Sequence, residues 1–128
     1  MKFPLVLIAC LLAGCATNSS TRVLTPLDSG HEVTVTAGQV LVLELPSNVT
    51  TGYGWSCRND GEVVEQFGQR EYMADAHPLG MVGVGGTEIW RFRAIKTGRQ
   101  SLRLDYIRPW EKDVSPVRTV TFNVVVEP

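Results

Sequence analysis

From residue 27 onward, apolar and polar positions alternate in short runs, and no stretch carries the 3.6-residue period of an amphipathic helix. The run 31–36 alternates as His-Glu-Val-Thr-Val-Thr, and 40–45 reads as a buried strand. In 88–95, Trp90, Phe92 and Ala94 fall on one face, with Arg91 and Arg93 on the other. Leu102, Leu104 and Tyr106 likewise oppose Arg103 and Asp105 in 100–106, while Val120, Phe122, Val124 and Val126 share a face of 118–126. Two shorter runs, 55–58 and 62–67, complete seven predicted strands. Between those two, Asn59-Asp60-Gly61 reads as a hairpin turn, because glycine accepts a positive φ. Seven strands in about 95 residues point to an all-β, immunoglobulin-like sandwich rather than a barrel.

The connections come in two lengths, and the two alternate. Short turns fall at Ala37-Gly38, at Asn59-Asp60-Gly61 and at 96–98; long connections span 46–54, 68–87 and 107–117. If successive strands run in opposite directions, every second connection lies at the same end. Three long loops should therefore gather at one pole of the sandwich, as binding loops do on a rigid scaffold.

The start of the chain follows another rule. Lys2 precedes an apolar run to Leu12, shorter than the roughly 20 residues that cross a bilayer as a helix. It ends at Leu12-Ala13-Gly14-Cys15, which resembles a bacterial lipobox, whose cysteine thiol receives a diacylglycerol before cleavage. The expected organisation is a signal peptide over 1–14, a lipidated tether over 15–27 and a folded domain over 28–128. Thr17-Asn18-Ser19-Ser20-Thr21 has a tether's composition. Ala16 after the cysteine, by resemblance to the sorting rule of enteric bacteria, favours the outer membrane of the cell envelope, on its periplasmic or surface face.

Composition narrows the chemistry. With 128 residues, 44% hydrophobic and 20% charged, the chain holds one small domain and is too apolar for a disordered one. A net charge of −1, or −2 once Lys2 is removed, gives no reason to expect a nucleic acid partner. Three cysteines and two histidines, without a CxxC pair, leave little for a metal cage. After loss of Cys10 and lipidation of Cys15, Cys57 is the one remaining thiol, so an intrachain disulfide is excluded. No cofactor or small-molecule substrate is expected, and the domain is read as a monomer.

The three long loops carry the candidate chemistry. The first contains Asn48, Val49, Thr50, Thr51, Gly52, Tyr53, Gly54 and Trp55; the second contains Gly83, Val84, Gly85 and Gly86; the third contains Arg108, Pro109 and Trp110. They offer glycine-permitted backbone approach, small hydroxyls and aromatic anchors of the kind found at interface hot spots. They hold no acid–base pair, no serine–histidine–carboxylate set and no histidine cluster, so an enzyme is not expected.

Taken in order, these motifs resemble those of the chagasin family, protein inhibitors of papain-like cysteine peptidases. The family shows an Asn-Pro-Thr-Thr-Gly-Tyr-type segment ending in Trp, a Gly-x-Gly-Gly segment, and Arg-Pro-Trp or Arg-Pro-Phe. The resemblance covers roughly residues 30–126. It implies an immunoglobulin-like fold and reversible competitive inhibition by a three-part wedge. Thr50 would stand nearest the reactive cysteine of the peptidase, with Thr51 and Gly52 lining the approach. Residues 83–86 would lie extended along the substrate side. Trp110 would pack on the other wall, its loop shaped by Arg108 and Pro109. Val49 departs from the family's proline; a less pre-organised loop and weaker or more selective inhibition are expected from that change.

Blander readings stand beside these. A phosphate cradle at Gly83-Val84-Gly85-Gly86 would want a helix N-terminus, and a strand pattern follows instead. Cys57 and His77 could form a thiol–imidazole dyad, but a strand cysteine facing the core is commoner. Asn48-Val49-Thr50 matches a glycosylation sequon that a bacterial lipoprotein would not use. Trp55 and Trp90 are expected in the core and Trp110 outside, while Tyr53 could touch a partner or brace its loop from beneath. Arg91, Arg93 and Arg103 read as a solvated face, offset by Asp105, Glu88 and Glu62. The rival functions are an envelope lipoprotein module that binds a glycan or protein partner without inhibiting peptidases, and an assembly lipoprotein using a sheet edge.

Overall fold

A computed structural model describes residues 20–58, 61–76 and 84–128. Among these, nine strands form two sheets. They are β1 (Thr21–Leu24), β2 (Glu32–Thr36), β3 (Val40–Ser47), β4 (Gly54–Arg58), β5 (Val64–Gln66), β6 (Glu71–Ala74), β7 (Gly86–Ala94), β8 (Gly98–Ile107) and β9 (Arg118–Glu127). One sheet has the order β1-β3-β7-β5, with β6 on the stretch of β7 that precedes β5's; the other has the order β2-β9-β8-β4.

The apolar alternation read from sequence along β7 and β9 is the alternation observed. Along β7 every second residue, Gly86, Glu88, Trp90, Phe92 and Ala94, points inward. Leu102 and Leu104 of β8 and Val120, Phe122, Val124 and Val126 of β9 face them from the other sheet. Trp55, Phe92 and Phe122 are the largest side chains of the closed interior, surrounded by leucine and valine. Burial of such side chains, at roughly 1.5–3 kcal/mol each, holds the two sheets together.

Three expectations need correction. First, β4 and β5 are not a hairpin: β4 pairs with β8 and β5 with β7, so the chain crosses between sheets around Gly61. Asn59 and Asp60 lie outside the described residues. A turn-forming sequence gives a tight reversal but does not choose the partner strand. Second, β1 lies within the stretch expected as tether. Residues 21–24 pair in parallel with 40–43, and Leu24 is fully buried. A Thr25 capping box then turns the chain through a short 3₁₀ segment, Pro26–Asp28, toward β2 in the opposite sheet. Third, β6 interrupts the long connection 68–87, and its pairing with 86–89 of β7 shortens the second loop. With β1 and β6 the strands exceed the expected seven. Both were missed because each is four residues long, too short for its alternation to stand out.

Candidate functional site

The first and third loops and the described end of the second lie at one pole, as parity requires. Ser47 pairs with Gly86, and Gly54 pairs with Ile107, so β3, β4, β7 and β8 all meet their loops at one pole. Asn48 donates its backbone N–H to the Tyr106 hydroxyl at 2.9 Å, which joins the first loop to the foot of the third.

The first loop is built by its own side chains. Asn48 caps a 3₁₀ turn, Val49–Thr51, accepting at its Oδ1 from the Thr50 N–H (3.1 Å) and the Thr50 hydroxyl (2.6 Å). Thr51 returns its hydroxyl to the Asn48 carbonyl at 2.7 Å. Gly52 then ends the turn in the left-handed region, φ 78°, where a side chain is strained. The Trp110 ring lies directly over it, so that a Cβ at position 52 would overlap the indole. Thus the Trp110 side chain, 66% exposed, still rests one edge on the first loop.

Arg108 works inward. Its Nε donates to the Thr51 carbonyl at 3.0 Å, its guanidinium stacks on the Tyr53 ring at 4.3 Å, and Glu111 pairs with it at 3.5 Å. Tyr53 in turn packs on Tyr106 (5.3 Å between centroids), which packs on Trp55 (4.9 Å). An aromatic column therefore runs from the loop pole into the core. Tyr53 is half-buried and braces its loop, the second of the two roles open to it from sequence.

In the second loop, Gly83 and His77 lie outside the described residues. Val84 and Gly85 are half-buried, and the Gly85 carbonyl accepts from the Asp75 N–H at 2.9 Å. Gly86 is buried as the first residue of β7, where a Cβ would overlap the Met73 carbonyl and the Tyr72 ring. Glycine there is required by the approach of β6. Among the described residues of the three loops, those exposed to solvent are Val49, Thr50, Thr51, Pro109 and Trp110.

Across residues 34–124 the sequence matches the family described as Chagasin family peptidase inhibitor I42. The chain belongs to this family. It is 28% identical to Amoebiasin-2 of Entamoeba histolytica over 111 residues, covering 87% of this chain and 89% of that one. It is 33% identical to Amoebiasin-1 of the same organism over 107 residues, covering 81% and 98%. The crystal structure of the cysteine protease inhibitor EhICP2 from Entamoeba histolytica superposes with a TM-score of 0.75 at 28% identity, over 84% of this chain and 96% of that one. The observed fold is the immunoglobulin-like sandwich expected from sequence.

Beneath the loops lies a group that sequence reasoning misplaced. Glu88 was expected on a solvated face, and it is buried, 4% exposed. Its Oε2 accepts from the Ser47 hydroxyl (2.6 Å) and the Trp55 N–H (3.2 Å). Its Oε1 accepts from Trp90 Nε1 (3.3 Å) and faces Arg70 at 3.5 Å. The signal was present: Glu88 has the parity of Trp90 and Phe92. Asp105, also expected outside, is buried between Thr119 (2.9 Å) and Arg103 (3.1 Å) on the opposite sheet. The three arginines read as one solvated face are divided between the sheets: Arg91 pairs with Glu71 and Arg93 stacks on Phe67, while Arg103 pairs with Asp105. Glu62 serves Lys96 instead, whose hydrogen bond and charge hold its carboxyl below the usual range.

A groove of about 870 Å³ descends from Val49, Gly52 and Pro109 along β4 to Cys57, Arg70 and Trp90. Burial pushes the Cys57 thiol up to about 11, so it stays protonated and unreactive at neutral pH. That removes the thiol half of the imagined dyad. Among the described residues, no cluster of His, Cys, Asp and Glu is placed to hold a metal ion.

Proposed function

We propose that this chain is a reversible, competitive protein inhibitor of papain-like cysteine peptidases and carries out no catalysis of its own. The observation that carries this reading is the locked union of the loops at one pole: Trp110 over Gly52, and Arg108 bonded to the Thr51 carbonyl. Thr50 and Thr51 then form an exposed crest beside Pro109 and Trp110, and residues 84–86 enter β7 at the same pole. A crest held by internal hydrogen bonds enters a cleft with little loss of conformational freedom. Its main chain need not bring a carbonyl into line with the catalytic thiolate, so the cleft is filled without turnover. Such a wedge buries on the order of 1,600 Å², with most of the affinity in a few anchors, Trp110 foremost.

Location is part of the proposal. Leu12-Ala13-Gly14-Cys15 supports lipidation at Cys15 and anchoring to a bacterial envelope membrane, with Ala16 favouring the outer one. These positions lie outside the described residues. Replacing Cys15 by serine should move the protein from the membrane fraction to the soluble one.

The deciding experiment is a titration of papain and a cathepsin-L-like enzyme with purified residues 16–128. Competitive inhibition is expected at roughly nanomolar to micromolar concentration. No effect on a panel of such enzymes at high concentration would overturn the reading and favour an envelope binding module.

A further inference from the structure

The first loop has an unusual attachment. It leaves β3 in one sheet and enters β4 in the other, so no backbone ladder joins its two ends. Ser47 closes β3 before the loop, and Trp55 follows Gly54 at the start of β4. The separation of these flanks must therefore be fixed by side chains. Two ties join the flanks directly, beside the Asn48–Tyr106 bond that reaches β4 by way of β8: the Trp55 indole donates to the Pro46 carbonyl at 2.9 Å, and Glu88 Oε2 accepts from both Ser47 Oγ and Trp55 N–H. The second tie is the more informative, because Glu88 belongs to neither flank. It sits on β7 two residues after Gly86, where the second loop ends.

We infer that Glu88 is a positioning residue for inhibition: its carboxylate sets the span of the first loop and refers it to the strand that carries the second. The inference rests on the proposed peptidase-inhibitor function, in which both loops enter one cleft. Four donors converge on this carboxylate, from Ser47, Trp55, Trp90 and Arg70. Arg70 also donates to the Trp55 carbonyl at 2.9 Å, so both backbone groups of Trp55 are held from the Glu88 side. An ionised carboxylate is acceptor-only and meets this demand with both oxygens. Glutamine has the same shape but turns an NH₂ toward donors on one side, which leaves either the Ser47–Trp55 pair or the Trp90–Arg70 pair without its acceptor. The loop's interior bonds, at the Thr50 and Gly52 amides, are built on the Ser47 flank, so with that flank released they open more often and the loop loses its placement relative to the second.

The test compares Glu88→Gln with Asp105→Asn in the full chain. Asp105 is a buried, hydrogen-bonded carboxylate that bonds Thr119 and Arg103 rather than the flanks of the first loop, so the same acid-to-amide change there controls for loss of stability. Two readouts are taken: the inhibition constant against papain, and amide exchange at Thr50 and Gly52 in the free protein. Glu88→Gln should raise the inhibition constant roughly tenfold or more and speed exchange at those two amides, whereas Asp105→Asn leaves both within about twofold. A Glu88→Gln protein that inhibits like the parent, or that loses no more than Asp105→Asn at equal loss of stability, overturns the inference. Should the parent not inhibit at all, the functional reading fails, and exchange alone decides this one: unchanged protection at Thr50 and Gly52 overturns it, and selective loss there upholds the positioning of the loop.

Discussion

At the scale of single residues, the contact between Gly52 and Trp110 concentrates the most consequence. Gly52→Ala must adopt φ near 78° and displace the indole, two penalties in one substitution. The left-handed conformation alone costs roughly 1–2 kcal/mol for a residue with a Cβ. Trp110→Ala, by contrast, removes a ring that is mostly in solvent. It should weaken inhibition about tenfold or more and leave the thermal midpoint nearly unchanged, whereas a large drop in the midpoint would place Trp110 in the core. Inhibition constants and melting curves of the two variants separate the roles of hinge and anchor. Cys57 gives a prediction of another kind. Its folded pKa, about 11, lies above the unfolded value of 9.0, so the unfolded chain releases the proton first as pH rises. The stability due to the thiol is complete below about pH 9 and declines through about pH 11. Denaturant unfolding of wild type and Cys57→Ser across that window should show the parent losing stability faster; parallel curves would refute the raised thiol pKa.

Among the elements, strands of alternating character were readable and the short ones were not. Inward positions of β7, β8 and β9 could be named from sequence because each strand runs nine or ten residues, long enough for a period of two to be unmistakable. The same parity, applied without regard to charge, places Glu88 inside; chemical expectation about a carboxylate displaced it. Sheet membership was not legible, since Asn59-Asp60-Gly61 encodes a reversal and says nothing of which sheet receives the chain. β1 escaped because its four residues follow a polar stretch and look like its continuation. Leu24 shows what that missed. With its side chain fully buried in a strand paired to β3, Leu24→Ala should cost about 2–5 kcal/mol in urea unfolding, as for other core leucines. A cost under about 1 kcal/mol would return β1 to the tether.

For the molecule as a whole, the direction of β1 decides how an anchored form would face. β1 runs parallel to β3, with Thr21 beside Val40, and β3 reaches the loop pole at Ser47. The chain therefore enters the sandwich at the pole opposite the loops. Between Cys15 and Thr21 at most about 20 Å of chain is available, at roughly 3.5 Å per residue. β3 alone, eight residues long, adds about 26 Å between entry and crest. A lipid on Cys15 would thus hold the entry pole at the bilayer and turn Thr50, Thr51 and Trp110 outward, where a soluble peptidase meets them without contact with the membrane. The lipidated protein in vesicles should then inhibit papain with a constant within about threefold of the lipid-free form. The opposite orientation, with loops toward the lipid, would occlude the crest and raise that constant by orders of magnitude. Lengthening the segment before Thr21 by ten glycine–serine residues discriminates further: it should change nothing if the crest already faces away, and should restore inhibition if the membrane had covered it.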